Sequence, residues 1–384
     1  MKKTLIAMAV LGAASGFAMA ESQVTLYGNI DGGVTVSKSK GYDTTTQMTN
    51  GNWASNSFGI RGTEDLGNGN NVFFTLEQGF NISNGEVANG PDNGAFNRQA
   101  TLGVAGNWGQ FAFGRFGGLT SDTGSYSILG GSAYGTNFQP VGSLAGAFVL
   151  APRANNAVVY ASPEFAGLNL YAAYSNGVDT DDNKFSQNAH YYGLGATYNV
   201  GAFNSNLSWE MYDNKNQQGA ARKSSNVFTL GASYDFGVVT LYGAYQYANN
   251  IAASLFPTNG DSVSVLYKTQ KNAANEDVPV DFKGADQNAF SLSLSAPLGG
   301  GTAYLQSQFA FGKLHSKDQF ADANMSDKYN MWSVGAAYTY PLSKRTLVYG
   351  GAAYGNAGKA FKSASAKSMQ FRSWNATVGV SHSF

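Results

Sequence analysis

The sequence predicts an all-β fold, a transmembrane barrel of sixteen antiparallel strands closed on itself, and three observations predict it. Apolar and small polar residues alternate with a period of two through most of the chain, the pattern of a strand with hydrocarbon on one face and water on the other. Tight and long connections alternate between these segments. An N-terminal stretch has the build of an export signal.

That stretch, MKKTLIAMAVLGAASGFAMA (1–20), carries Lys2 and Lys3, an apolar run from Leu5, and Ala18-Met19-Ala20 as a small-x-small cleavage site. Removal of 1–20 is expected, leaving 21–384 as the barrel. Gly12, Ser15 and Gly16 interrupt the run, which is shorter than a spanning helix requires. Beyond residue 20 no apolar run approaches the roughly 20 residues of a membrane helix. The mean hydropathy of -0.22 would suit a soluble chain, because alternation averages oil with water.

Alternating segments fall at about 23–38, 53–66, 71–82, 96–106, 110–117, 153–162, 167–176, 189–200, 202–213, 225–236, 238–249, 287–297, 302–314, 328–340, 346–355 and 369–384. Short links such as Gly67-Asn68-Gly69-Asn70, Gly106-Asn107-Trp108-Gly109 and Pro297-Leu298-Gly299-Gly300 alternate with long ones near 39–52, 83–95, 118–152, 177–188, 214–224, 250–286, 315–327 and 356–368. Tight turns belong to the periplasmic side of an outer-membrane barrel and long loops to the outside, so both termini lie inside and the strand count is even. The stretch 250–286 reads as a surface loop holding a hairpin, with Ser262 to Tyr267 strand-like.

On the last strand Phe384, His382, Val380, Val378, Ala376 and Trp374 share one face, and Ser383, Ser381, Gly379, Thr377, Asn375 and Ser373 the other. LGATYNVG (194–201), LGASYDFG (230–237) and VGAAYTYP (334–341) each end a strand before a tight turn. Tyr198, Tyr234 with Phe236, and Tyr338 with Tyr340 then form an inner aromatic girdle at the headgroup boundary.

With 48 Gly, 14% aromatic and 12% charged residues, the composition suits strands and tight turns and carries about half the charge of a soluble domain. Absence of Cys excludes thiolate chemistry. Loss of Lys2 and Lys3 leaves 22 basic residues against 24 acidic, which argues against nucleic acid as a partner. His190, His315 and His382 are scattered, so no catalytic, metal or cofactor site is expected. The run DTDDNKFSQNAH (179–190) begins like a calcium loop but has Lys184 and His190 where Gly and Glu belong.

By alternation Tyr27, Asn29, Asp31, Arg61, Glu77, Tyr171, Asn206, Glu210, Gln306 and Gln308 point inward, and Gln99 and Thr101 outward. Inward charges of a wet channel act by field rather than by reaction.

At GIRGTEDLGNG (59–69), FNRQATLGV (96–104), FGR (113–115) and SPEFAGL (162–168), with the terminal Phe384, the chain resembles the general porins of Gram-negative outer membranes, of the neisserial and betaproteobacterial type. The resemblance implies a homotrimer, with the subunit interface on the first and last few strands, in an outer membrane of lipid and lipopolysaccharide; Gln99 and Thr101, outward by alternation and ill-suited to lipid, fit better against a neighbouring subunit. It also implies a third outer loop, 118–152, folded inward opposite wall arginines that match Arg98, Arg115 and Arg153. Glu77 matches a position where the family often has an acid. Phe384, with Trp374, Val378 and Val380, matches the signal read by the barrel-insertion machinery. Two departures stand out: Ser57 replaces an arginine that members often carry, so the cluster is smaller or is replaced in part by Arg61, and the inward loop has a single acid, Asp122.

The expected function is passive diffusion of ions and small hydrophilic solutes with a weak anion preference. Two other readings stay open: a substrate-specific channel with Tyr126, Tyr134, Phe138 and Phe148 as an aromatic ladder, and an adhesin or receptor barrel acting through its long loops.

Overall fold

A computed structural model describes residues 23–88, 94–121, 124–129, 147–178, 188–213, 223–252, 284–315, 317–362 and 372–384, with residues 185, 255, 266, 268–271 and 277–279. The expected signal segment lies outside the described residues, as do Asp122, Tyr134, Phe138 and most of 179–190.

The chain enters with β1 (Gln23–Ser39) and returns through β2 (Thr45–Asn50) and β3 (Ser57–Gly67). Short strands follow: β4 (Asn70–Gly79), β5 (Gln99–Gly106), β6 (Gly109–Gly117), β7 (Arg153–Ala161) and β8 (Leu168–Asn176). Next come β9 (His190–Val200), β10 (Phe203–Asp213), β11 (Ser225–Asp235) and β12 (Thr240–Asn249), and then a small hairpin of β13 (Thr269–Lys271) and β14 (Asp277–Pro279). The longer β15 (Ala285–Leu298), β16 (Gly301–Leu314), β17 (Lys328–Pro341) and β18 (Thr346–Lys359) lead to β19 (Ser373–Ser383).

Each wall strand pairs antiparallel with the next, and β1 pairs with β19 from Asn29↔Ser383 to Ser39↔Ser373. The seam is completed by Gly28 N–H donating to the Phe384 carbonyl and Phe384 N–H to the Gly28 carbonyl, at 3.2 and 3.0 Å. Closure leaves no strand edge facing hydrocarbon, the condition for backbone to cross a bilayer without a helix. The other edge of β1 is shared, by β3 over Gln23–Asn29 and by β2 over Gly32–Ser37. Hence β2 and β3 are two halves of one wall strand, and the barrel has sixteen.

Alternation sorts the faces as expected. On β19, Val378 is 63% exposed on the outer face while its neighbour Thr377 is 3% exposed within. Tyr198, Tyr234, Phe236 and Tyr340 are exposed near the tight turns, and the Tyr234 and Phe236 rings lie 4.6 Å apart. At Asn68-Gly69 and Gly299-Gly300 both central residues have positive φ, the two-residue turn whose twist matches a hairpin.

Three expectations need correction. The second wall strand does not run unbroken from 53, because 51–56 leave the wall and 45–50, read as loop, belong to it. The hairpin within 250–286 lies at 269–279, and β12 pairs directly with β15, so that stretch adds nothing to the wall. Gln99 and Thr101 face inward, 3% and 4% exposed, while Leu102 and Val104 face out. The chain turns at Phe96, where φ is 60°, so β5 starts at Gln99 and the alternation counted from residue 96 is one residue out of phase.

Candidate functional site

The link between β6 and β7 enters the barrel. Its described residues Leu119, Tyr126, Ile128, Leu129, Ala147, Phe148 and Val149 are buried, and the rings of Phe116 and Tyr126 meet edge to face at 5.3 Å. Polar groups on the inner wall hold it at both ends. Near its start, Glu210 on β10 accepts from the Tyr191 hydroxyl at 2.5 Å and from the N–H and hydroxyl of Thr120, while the Tyr191 oxygen accepts from Leu119 N–H at 2.9 Å. Gln99 accepts from the Ser125 N–H and hydroxyl. Near its end, Gln246 on β12 accepts from Val149 N–H at 2.7 Å and donates to the Val149 carbonyl at 2.8 Å. Gln287 on β15 donates to the Ala147 carbonyl at 2.7 Å, and Gln308 on β16 accepts from Ala147 N–H at 3.3 Å. A carboxamide offers the same donor and acceptor as a peptide group, so these glutamines supply the loop backbone with partners that a neighbouring strand would give. Each such bond contributes about 1 kcal/mol net, and an orphaned partner would cost roughly 1–3 kcal/mol.

The sequence pattern flagged Gln308 but missed Gln246 and Gln287, although both sit on inward-facing rows. Tyr126 and Phe148 spend their rings in packing and present no ladder to a passing solute. Burial raises the Tyr126 phenol pKa.

Along β1, β3, β4 and β5 the register builds two adjacent inward rows, Tyr27↔Gly59↔Glu77↔Gln99 and Thr25↔Arg61↔Thr75↔Thr101. Arg98, just ahead of β5, folds its side chain over Gly79 and brings Nε to 2.5 Å from Glu77 Oε1, with the two side chains 14% and 16% exposed. The other carboxylate oxygen accepts from the Tyr27 hydroxyl at 2.9 Å. The Arg61 guanidinium carbon lies 5.2 Å from the centroid of the Tyr27 ring. Glycine at 59 makes room for that ring, since a Cβ there would stand 2.7 Å from the Tyr27 hydroxyl. Asn97 fixes the turn, accepting from Gly79 N–H at 2.8 Å and donating to the Ala88 carbonyl.

Four residues named from the sequence thus meet: Arg98, Glu77, Arg61 and, on the first strand, Tyr27. Arg115 and Arg153 lie on other rows of the wall. Arg115 lies opposite Ala100, two residues beyond the outward Phe113, and so on the outer row. Its guanidinium donates to the Asn97 carbonyl at 2.8 Å and to Asn155 Oδ1, which ties the tops of three strands together. Arg153 opens β7 opposite Gly117, half-buried, on the row opposite to the inward Ala154. Asp31 and Glu210 do face inward, but both are fully buried.

Residues 7–360 match the family described as Gram-negative porin. The chain is 33% identical to an outer membrane porin protein of Bordetella pertussis over all of both chains. It is 31% identical to outer membrane porin protein 32 of Delftia acidovorans, over 92% of this chain and 89% of that one. Among solved structures, an anion-selective porin from Comamonas acidovorans superposes with a TM-score of 0.62 at 24% identity, covering 95% of this chain and 100% of that one. The in-vitro folded OmpT of Vibrio cholerae, in its trimer form, gives 0.58 at 13% identity, covering 95% and 100%.

Proposed function

The chain belongs to the Gram-negative porin family and is an outer-membrane channel for passive diffusion; on that premise we propose that its constriction selects weakly for anions. One observation carries the proposal: among the described residues, the acids of the mid-barrel are spent. Glu210 and Asp31 are buried, and Glu77 is paired with Arg98. Arg61 has no carboxylate within ion-pair reach among the described residues, and its contact is the Tyr27 ring. Asp65 and Asp235, exposed at the turn ends, lie at the mouth rather than in the narrow part.

A single unpaired cation biases ions by a limited amount. At about 6 Å and an effective dielectric near 50, two unit charges interact by roughly 1 kcal/mol, so the preference is several-fold and not absolute. The same role is proposed for Arg98 once Glu77 is removed, and Asp122 of the inward loop would oppose it. Arg115 is read as pinning the strand tops.

The working form is read as a homotrimer. Strands β4 to β8 are short, 8 to 10 residues, against 14 in β15 to β18, which supports a low wall on the side of a neighbouring copy. Residues 1–20 are read as a cleaved signal. Phe384 with Val380, Val378 and Trp374 is read as the signal for the insertion machinery.

The test is the reversal potential of the reconstituted protein in a KCl gradient. A value on the chloride side supports the reading, and one on the potassium side overturns it in favour of Asp122 or the mouth acids.

A further inference from the structure

Residues 51–56 interrupt the second wall strand partway up the barrel and turn into its interior. Trp53 is buried there, its ring 5.4 Å from that of Tyr304 on β16 and 6.0 Å from that of Tyr349 on β18. Both tyrosines lie on inward rows. From the strand that carries Trp53, β16 is five positions away around the wall, or roughly 24 Å of arc at about 4.8 Å per strand. A side chain cannot follow such an arc, so this contact is a chord across the lumen.

The chord is pinned along its length. The Asp31 carboxylate accepts from Ala54 N–H at 3.1 Å and from the Tyr349 hydroxyl at 2.9 Å. Gly51 N–H donates to the Asp31 carbonyl at 3.1 Å, and Asn56 Oδ1 accepts from Asp31 N–H. Asn52 donates to Thr377 on β19 at 2.7 Å. Tyr304 sits four residues nearer the tight-turn end of β16 than Gln308, the strand's anchor for the inward loop. Two separate inward segments therefore reach one strand from opposite sides.

We propose that 51–56 is a second constriction element, with Trp53 limiting the open cross-section from the first-strand side and so determining which solute sizes pass. The proposal rests on the channel reading above and adds a determinant to it.

The chain has no cysteine, so Trp53→Cys places a unique thiol. Single-channel recording of this variant should show conductance roughly 1.5-fold above the unsubstituted protein, since pore diameter sets throughput. A methanethiosulfonate reagent added to the open channel should then lower the current again. Liposomes carrying the variant should admit sugars larger than those the original passes. Val378→Cys, on the outer face, should not respond to the reagent. Trp53→Phe, which keeps a ring in the stack, should give an intermediate conductance and serves if the cysteine variant fails to insert. Unchanged conductance of the cysteine variant with no response to the reagent or, if that variant fails to insert, unchanged conductance of Trp53→Phe, overturns the proposal while the original protein still conducts. Silence of the original protein would instead remove the channel reading itself.

Discussion

The Arg98 and Glu77 side chains close a contact of 2.5 Å on the inner face of the barrel, and the second oxygen of Glu77 is taken by Tyr27. The carboxylate is thus held by a cation and a phenol together. Breaking such a pair from one side leaves the other charge uncompensated, which makes each member a lever on ion flow.

Glu77→Gln should move the reversal potential further toward chloride, because Arg98 then joins Arg61 as an uncompensated cation. Arg98→Glu should move it toward potassium by more, since it reverses a charge beside an existing acid. The shift corresponds to roughly 1 kcal/mol per charge at the effective dielectric of a wet constriction. No movement in either variant would take the pair out of the ion path.

Ionic strength supplies a check that needs no mutation. Screening lengths are about 10 Å at 0.1 M and 3 Å at 1 M, so selectivity measured across dilute KCl should exceed that across concentrated KCl. A preference independent of salt would point to size or a bound anion instead of the field of fixed arginines.

Gln246→Ala removes both bonds to the Val149 peptide and leaves its N–H and carbonyl without those partners in a buried place. A loss of roughly 1–3 kcal/mol is expected, read as a lower urea midpoint of the detergent-folded protein, together with noisier open-channel current as the loop end loosens. Gln287→Ala should act in the same direction with less effect, having one bond to the loop.

Much of this was legible in the residues. The rows of β19 follow directly from unbroken alternation, and the inward direction of Asp31, Glu77, Glu210 and Gln308 follows from the same rule. Phase was the weak point, because side-chain direction has a period of two and a one-residue error in a strand start reverses every face. Phe96 hides such an error: nothing in its identity announces a left-handed φ, so Gln99 and Thr101 read as outward. Arg115 shows the same dependence on pairing, since its direction is set by its partner Ala100 beside an irregularity at Gly114 and Phe116, and resemblance to a family motif carries no such information. The inward turn of 51–56 depends on long-range contacts of Trp53 that leave no local mark, and small residues around it read equally well as strand or loop.

The closing seam makes a separate prediction. A Cβ at Gly28 would stand 2.4 Å from the Phe384 ring and 2.6 Å from the Ser57 carbonyl, so Gly28→Val should displace the terminal aromatic and lower the yield of folded barrel. Phe384→Ala should lower it as well. Heat-modifiable migration in SDS gels measures both, and full yield from both variants would detach the seam from assembly.

The central claim is a closed, water-filled barrel. Purified protein added to a planar lipid bilayer is the decisive measurement: discrete, ohmic conductance steps that grow with KCl concentration are expected, and a membrane that stays silent while carrying correctly folded protein would refute the open barrel.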